Sequence, residues 1–338
     1  MKAALFEGPH RLHVAEKPLH PLQDEEVLIR VESCGVCGTD VHILEGTSRS
    51  TPPVVLGHEY AGIVEEVGRS VKGVRVGQRV AIDPNISCGT CDYCRRGLVH
   101  LCSNLRALGV DIDGGMAECS VVPASQAYPL PEGLSLEASA FVEPVSCVLH
   151  GIDRAHLQSG DTVVIVGAGT IGLIMLQLVR NAGATQVILV EPLEHKREIA
   201  KKLGADEVVS PSESDVRSAV FDLTGVGADV VIECAGTGQA VELALALPRR
   251  GGVVELFGVC PIGEKVPIEP NQVYFRELTI LGSYINPNTF SRAISVLHKG
   301  LVRVDQFLID RFPLGAVHEA LESQRRGTAI KSMVFPGL

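Results

Sequence analysis

The 338 residues predict an α/β protein of two domains, one an irregular β-rich part and the other a doubly wound parallel sheet. Three observations carry that expectation. The length exceeds what a single core of ordinary size encloses. From Met1 to about Val148, short alternating apolar runs are punctuated by Pro and Gly, the mark of an irregular β-rich domain. From about Leu149, apolar strand-like runs alternate with helical ones, as a doubly wound sheet requires. The expected divisions are residues 1–148, 149–284 and a closing segment 285–338.

Composition narrows the partners. Hydrophobic residues make up 46% and charged residues 21%, as in ordinary globular chains. The net charge of −10 is spread without long runs, which argues against nucleic acid or an anionic membrane, since both need a basic patch. The N-terminus MKAALFEGPHRLHV lacks the apolar core of a signal peptide. Ten cysteines in a chain of this length, clustered as they are, suggest reduced metal-binding thiols and a cytoplasmic location. No residue between Asp161 and Arg180 is charged, but the glycines in that stretch divide it into strand, turn and helix, so no membrane span is expected.

Taken in order, EEVLIRVESCG reads as a strand entering a turn at Cys34. VVLGHEYAGIVEEVG reads as two more strands and RVGQRVAI as another. Between them, Cys37, His58 and Glu59 offer a thiol, an imidazole and a carboxylate, a donor set that suits zinc. Three protein ligands leave one position for a water or a substrate oxygen, the form of a catalytic site. Cys34 and Cys37 form a C-x-x-C, but the βαβ context of a redox motif is missing, so Cys34 reads as a buried thiol. Thr39 has a hydroxyl that donates and accepts, and His42 carries an imidazole that can do either, so the two suit a proton route. Asp40 reads as a hydrogen-bond acceptor bracing the site.

Cys88, Cys91, Cys94 and Cys102 follow, separated by two, two and seven residues. Four thiolates at such spacing close a tetrahedron around zinc. An iron–sulfur cluster is the rival, but there the last cysteine precedes proline, whereas Cys102 precedes Ser103. Glu143 stands at an expected helix start, with Cys147 one turn later assigned to packing.

TVVIVG then runs into Gly167-x-Gly169-x-x-Gly172 and a helix opened by Thr170 and Ile171. The glycines allow a tight turn, close approach of a pyrophosphate and close helix–strand packing, and the helix N-terminus offers free N–H groups. A second strand ends in Glu191, placed to accept from ribose hydroxyls and to repel a 2′-phosphate, so NAD is expected over NADP. Lys196 and Arg197 stand close by. The strand ends at Cys234, Phe257-Gly258-Val259 and Ser283-Tyr284 should border the cofactor crevice. NTFSRAISVLHKGLV and AVHEALESQRRG read as helices, and AIKSMVF as a closing strand.

GHEYAGIVEEVGRSV, from Gly57 to Val71, resembles the signature of the zinc alcohol dehydrogenases, and CGVCGTDVH resembles the segment that supplies their first zinc ligand and proton relay. The likeness runs over nearly the whole chain. It implies a zinc-dependent medium-chain dehydrogenase with a GroES-like catalytic domain, a Rossmann domain, and a last segment rejoining the first. It also implies a catalytic zinc in the cleft between domains, a structural zinc on the four-cysteine lobe, relay roles for Thr39 and His42, and assembly as a homodimer or homotetramer. Glu143 resembles the glutamate that polyol and threonine dehydrogenases place beside the zinc, bound directly or through water. Lys196 aligns with a basic residue near the ribose in sorbitol dehydrogenases. The implied substrate is a polyol, sugar alcohol or cyclitol, with a vicinal diol or threonine-like amino alcohol second. The chain departs from sorbitol dehydrogenases at Ile285, where they carry arginine, and Asp111, Asp113 and Asn286 are polar candidates for extra hydroxyls. The rivals are a non-catalytic NAD-binding protein and a zinc-free quinone reductase.

Overall fold

The structure, a computed structural model, describes residues 1–338. The chain divides into two compact units. The first comprises Met1–Ser146, Asn286–Gly300 and Phe307–Leu338, and the second Cys147–Ile285 and Leu301–Gln306.

The first unit opens with strands β1 (Lys2–Gly8), β2 (Arg11–Glu16) and β3 (Glu26–Gly35), then helix α1 (Gly38–Glu45). Strands β4 (Val54–Val55), β5 (Glu59–Val67), β6 (Arg79–Ile82) and β7 (Asn85–Ile86) follow, with the short helix α2 (Asp92–Arg95). Next come β8 (Arg106–Ala107), β9 (Cys119–Pro123), β10 (Ala127–Pro129) and the short helix α3 (Leu136–Ser139). Helix α4 (Val142–Ala155) begins in the first unit and ends in the second.

The second unit alternates strand and helix. It contains β11 (Thr162–Val166), α5 (Thr170–Asn181), β12 (Gln186–Val190), α6 (Glu194–Lys202), β13 (Glu207–Val209) and α7 (Val216–Thr224). It continues with β14 (Ala228–Glu233), α8 (Gly238–Ala246), β15 (Pro248–Leu256), α9 (Pro270–Arg276) and β16 (Thr279–Gly282). The chain ends with α10 (Phe290–His298), β17 (Ile309–Pro313), α11 (Val317–Arg326) and β18 (Lys331–Phe335).

The six strands of the second unit are parallel in the order β13-β12-β11-β14-β15-β16, the reversal of strand order in a Rossmann sheet. Register aligns Ile188, Val164, Val231, Val254 and Ile280 in one apolar row across five strands. Helices cover both faces, so these strands read as continuous apolar runs without alternation. The uncharged stretch after Asp161 divides into β11 and α5, and no helix is long and apolar enough to cross a membrane. Gln177, buried on α5, accepts Arg303 N–H at 2.8 Å, which ties Leu301–Gln306 to this unit.

In the first unit the main sheet runs β10-β6-β5-β3-β18-β17, with β9 also paired to β3. β18 lies antiparallel to β3, with Met333 opposite Gly35. The end of the chain therefore forms part of the sheet that carries Cys34 and Glu59. Ile29, Leu56, Tyr60 and Val334 are buried in its core.

One residue breaks the apolar pattern of the parallel sheet. Glu255 on β15 is fully buried, and neither carboxylate oxygen has a hydrogen-bond partner. Its Oε1 lies 2.8 Å from where a Cβ on Gly151 of α4 would stand, so a side chain there would push the Glu255 carboxylate and the Phe257 ring aside. Burial pushes its pKa from 4.5 up to about 7, and Arg154 draws it back only in part. The folded state then holds a proton that the unfolded chain has lost, so stability falls as pH rises through this window. With zinc saturating, Glu255→Gln is expected to be about 3 kcal/mol more stable than the parent above pH 7. The gap should close as pH falls towards 4.5, the ordinary value. Urea midpoints across that range measure it, and a gap independent of pH would show that the carboxylate is not held in an apolar site.

Candidate active site and metal centres

β3 delivers Gly35 to the turn that precedes α1, and Cys37 takes the extended N-cap position of that helix. Asp40, in the first turn, accepts the Cys37 N–H at 2.8 Å, which fixes the thiol at the helix N-terminus. Gly57 turns the chain with φ +92°, a conformation that favours glycine, and aims His58 and Glu59 back at Cys37. The ligand atoms of Cys37, His58 and Glu59 lie within 4.8 Å of one another. His58 and Glu59 are buried, and Asp40 is fully so.

The donors converge without satisfying each other. Asp40 Oδ1 and His58 Nδ1 have no hydrogen-bond partner, although they stand 3.6 Å apart. Burial alone pushes His58 down, but the negative charges of Asp40 and Cys37 outweigh it and hold the imidazole well above its usual range. Behind them lies Lys331 of β18, buried and paired with Glu59 Oε2. Burial pushes this lysine down, while Glu59, then Cys37 and Asp40, more than restore it. With Cys37 as thiolate, three negative groups face one positive group, and a divalent cation balances the remainder. Gly35 makes the arrangement possible, because a Cβ there would collide with Glu59 Oε2 and with Lys331 Cε.

Thr39 and His42 both lie on α1 and are half-buried, and His42 Nδ1 is 3.2 Å from Thr47 Oγ1. Glu143 is buried in the first turn of α4 and is not part of the three-ligand group. Cys34 is fully buried, its thiol pushed well up by burial and then by Asp40 and Glu59, so it packs rather than binds.

The second metal centre is a lobe closed on itself. The Sγ atoms of Cys88, Cys91, Cys94 and Cys102 lie within 4.8 Å of one another. Cys91 stands 3.5 Å from Cys94 and 3.9 Å from Cys102. A single zinc with Zn–S near 2.3 Å places its sulfurs about 3.8 Å apart, so these separations suit one ion and leave no room for a multi-iron core. Backbone N–H groups of Thr90 and Cys91 draw Cys88 down to about 5, towards the thiolate that binds metal.

In the second unit Gly167 has φ +106° and Gly172 packs against the Gly167 carbonyl. A Cβ on Gly169 would meet no protein atom within 4 Å, so the backbone there faces open space. Thr170 and Ile171 open α5 after the Gly169 N-cap. Glu191 is buried, and its oxygens accept the N–H groups of Ala168 at 2.8 Å and Leu193 at 3.0 Å. Buried Lys196 is pushed down by desolvation and partly restored by Glu191. Cys234, Phe257, Gly258, Val259, Ser283 and Tyr284 follow strand ends β14, β15 and β16. Gly258 packs so closely on Gly236 that a Cβ would strike its backbone N–H.

The three polar candidates for substrate hydroxyls are spent elsewhere. Asp111 accepts Ala107 N–H at 3.0 Å, and Asp113 accepts Val55 N–H at 3.0 Å and pairs with Lys17. Asn286 is buried, accepting from Asn85 at 2.6 Å and donating to Asp83 at 3.3 Å. Lys331 is the site residue that sequence reasoning passed over. A lone lysine inside the apolar run AIKSMVF was its only local signal.

Residues 23–132 match the family model described as Alcohol dehydrogenase GroES-like domain, and residues 170–299 match that described as Zinc-binding dehydrogenase. The chain is 32% identical to sorbitol dehydrogenase of Bombyx mori, over 98% of this chain and 97% of that protein. It is 38% identical to L-threonine 3-dehydrogenase of Pyrococcus abyssi (strain GE5 / Orsay), over 89% and 88%. Among solved structures, a zinc-binding dehydrogenase from Sinorhizobium meliloti 1021 bound to NADP is 43% identical, with a TM-score of 0.96 and 99% of each chain covered.

The Lys331–Glu59 pair makes a prediction about metal dependence. Without Lys331, the Glu59 carboxylate has only the metal as its counter-charge. Chelation should therefore destabilise Lys331→Met by about 3–5 kcal/mol more than it destabilises the parent. Thermal unfolding with and without chelator tests this, and an equal loss in both proteins would refute the pairing.

Proposed function

The chain belongs to the zinc-dependent medium-chain dehydrogenases, and on that premise we propose that it interconverts a secondary alcohol and its ketone with NAD(H), the alcohol being a polyol, sugar alcohol or cyclitol. The observation that carries the reading is the convergence of Cys37, His58 and Glu59 on one point, backed by Lys331, in a chain that also holds a glycine turn opening a helix. A zinc ion bound there acts as a Lewis acid that lowers the pKa of a substrate hydroxyl. NAD⁺ supplies the hydride acceptor.

The protein's own groups do the rest. Cys37, His58 and Glu59 hold the metal, with Asp40 orienting His58 and Cys37. Glu143 is assigned the adjacent position, reaching the metal through a water. Thr39 takes the proton from the substrate hydroxyl and His42 passes it outward. Gly167, Gly169, Thr170, Ile171 and Gly172 receive the pyrophosphate. Glu191 selects the ribose with Lys196 beside it, and Cys234, Phe257, Gly258, Val259, Ser283 and Tyr284 border the nicotinamide half.

The likeness to sorbitol dehydrogenase supports the polyol class. The higher identity to L-threonine 3-dehydrogenase supports a second reading, an amino alcohol or vicinal diol. The protein is assigned to the cytoplasm as a homodimer or homotetramer. β16 leaves the outer edge of the parallel sheet unpaired, and Val259, Ile262, Tyr274 and Phe275 are at least 69% exposed in the segment leading into it.

Incubated with NAD⁺ and a panel of polyols, threonine and vicinal diols, the enzyme should produce NADH. Chelation should abolish this, and Cys37→Ala should do so while zinc falls from about two to about one per chain. Turnover that survives both changes would exclude zinc chemistry at this site. A separate measurement concerns the cofactor. Glu191 should hold kcat/KM for NADP at least about tenfold below that for NAD, and Glu191→Ala should narrow the ratio. Equal use of both cofactors by the parent would overturn the role given to Glu191.

A further inference from the structure

A basic cavity lies at the opposite edge of the parallel sheet from the glycine turn. β14 starts at Ala228 and β15 at Pro248, so their N-terminal ends lie there, whereas Gly167–Gly172 follows the C-terminal end of β11. A cavity of about 550 Å³ opens at these strand starts, lined by Arg217, Phe221, Arg249, Arg250, Gln272 and Arg276 among others. A smaller cavity of about 280 Å³ shares Arg217, Gln272 and Arg276. Four arginines in one wall are unexpected in a chain of net charge −10.

Their partners are unequal. Arg249 is neutralised, its Nε donating to Asp229 Oδ1 at 2.6 Å. Arg276 donates to the carbonyls of Leu245 and Pro248, which hold it in place but carry no net charge. Arg217 lies over the Phe221 ring, 4.5 Å from its centroid. Arg276 is held below the usual guanidinium range by desolvation and then by the like charges of Arg217 and Arg250. Three cations thus crowd one another, and no carboxylate lines the larger cavity. Glu242 and Glu269 line only the smaller one. Arg276 is held by carbonyls and Arg217 by a ring face, Arg250 is exposed beside them, and the one acid acting on Arg217, Asp215, lies outside the cavity lining, so planar donors face the cavity in the form that suits a bidentate oxyanion.

The geometry points to a second ligand site in this cavity, for a compact oxyanion of at least two negative charges, a free phosphate or the phosphate groups of a small phosphorylated molecule. Arg217, Arg250 and Arg276 provide the charge, and Gln272 provides a neutral donor. The site lies apart from the dinucleotide turn, so occupancy stabilises the second unit by mass action without competing for cofactor.

The test uses the zinc-loaded full chain with saturating NADH, so that the dinucleotide turn is filled. Thermal unfolding and calorimetry follow additions of inorganic phosphate, fructose 1,6-bisphosphate and, at matched ionic strength, chloride. Both phosphates should raise the unfolding temperature where chloride does not, with affinity falling steeply as salt rises. Bisphosphate binding at least tenfold tighter than phosphate would identify a phosphorylated small molecule, and equal binding a single free oxyanion. Arg250→Glu, and separately Arg217→Ala, should weaken binding at least tenfold while leaving alcohol turnover and zinc content unchanged. A shift equal to that of chloride, or one that survives both substitutions, would overturn the site.

Discussion

The buried pair of Glu59 and Lys331 is the contact on which the catalytic unit depends. A carboxylate at the start of β5 is needed as a metal donor, yet an unpaired charge at that depth is expensive. Lys331 meets the need from the other side of β3. The two side chains can touch only because Gly35, between them, has no Cβ. β18 must therefore return to β3, and the last residues of the chain complete a site that Cys37 begins. The discontinuity of the first unit follows from electrostatics as much as from topology.

The features legible in the sequence were those whose partners lie nearby in the chain. The four cysteines of the lobe sit within one short segment, so their spacing alone described a tetrahedron. The glycine turn, its flanking strand and helix, and Glu191 are likewise one contiguous βαβ unit, and their periodicity was strong. Cys37, His58 and Glu59 are further apart, but their residue types and the surrounding motif identified them.

What stayed hidden depends on distant pairing. Lys331 is an isolated basic residue in a strand until β18 is laid against β3. Asn286, Asp111 and Asp113 looked available for a substrate because polar loop residues carry no sign of their own bonding. Each is spent on another segment, Asn286 on Asn85 and Asp83, the aspartates on backbone N–H groups. Leu301–Gln306 joins the second unit through Gln177, a glutamine that any periodicity argument places in an apolar helix face. Helix α1 was missed for a different reason. Its eight residues begin with glycine, and its first turn is held by Asp40 bonding to Cys37, a device of the site itself.

The two metal centres also show how burial dictates charge. The four-cysteine lobe is half-buried for three of its thiols, so it tolerates the net negative charge that four thiolates keep around a divalent ion. The catalytic set is far more enclosed, and there Lys331 offsets one of the three charges of Asp40, Cys37 and Glu59 and a divalent ion balances the other two, with buried Glu143 standing outside this group. Neutrality matters to the chemistry, because every uncompensated negative group nearby would oppose loss of a proton from the substrate hydroxyl. Lys331, paired with Glu59 and acting on Asp40 only at longer range, offsets part of the negative charge that gathers where Asp40 orients His58 and Cys37.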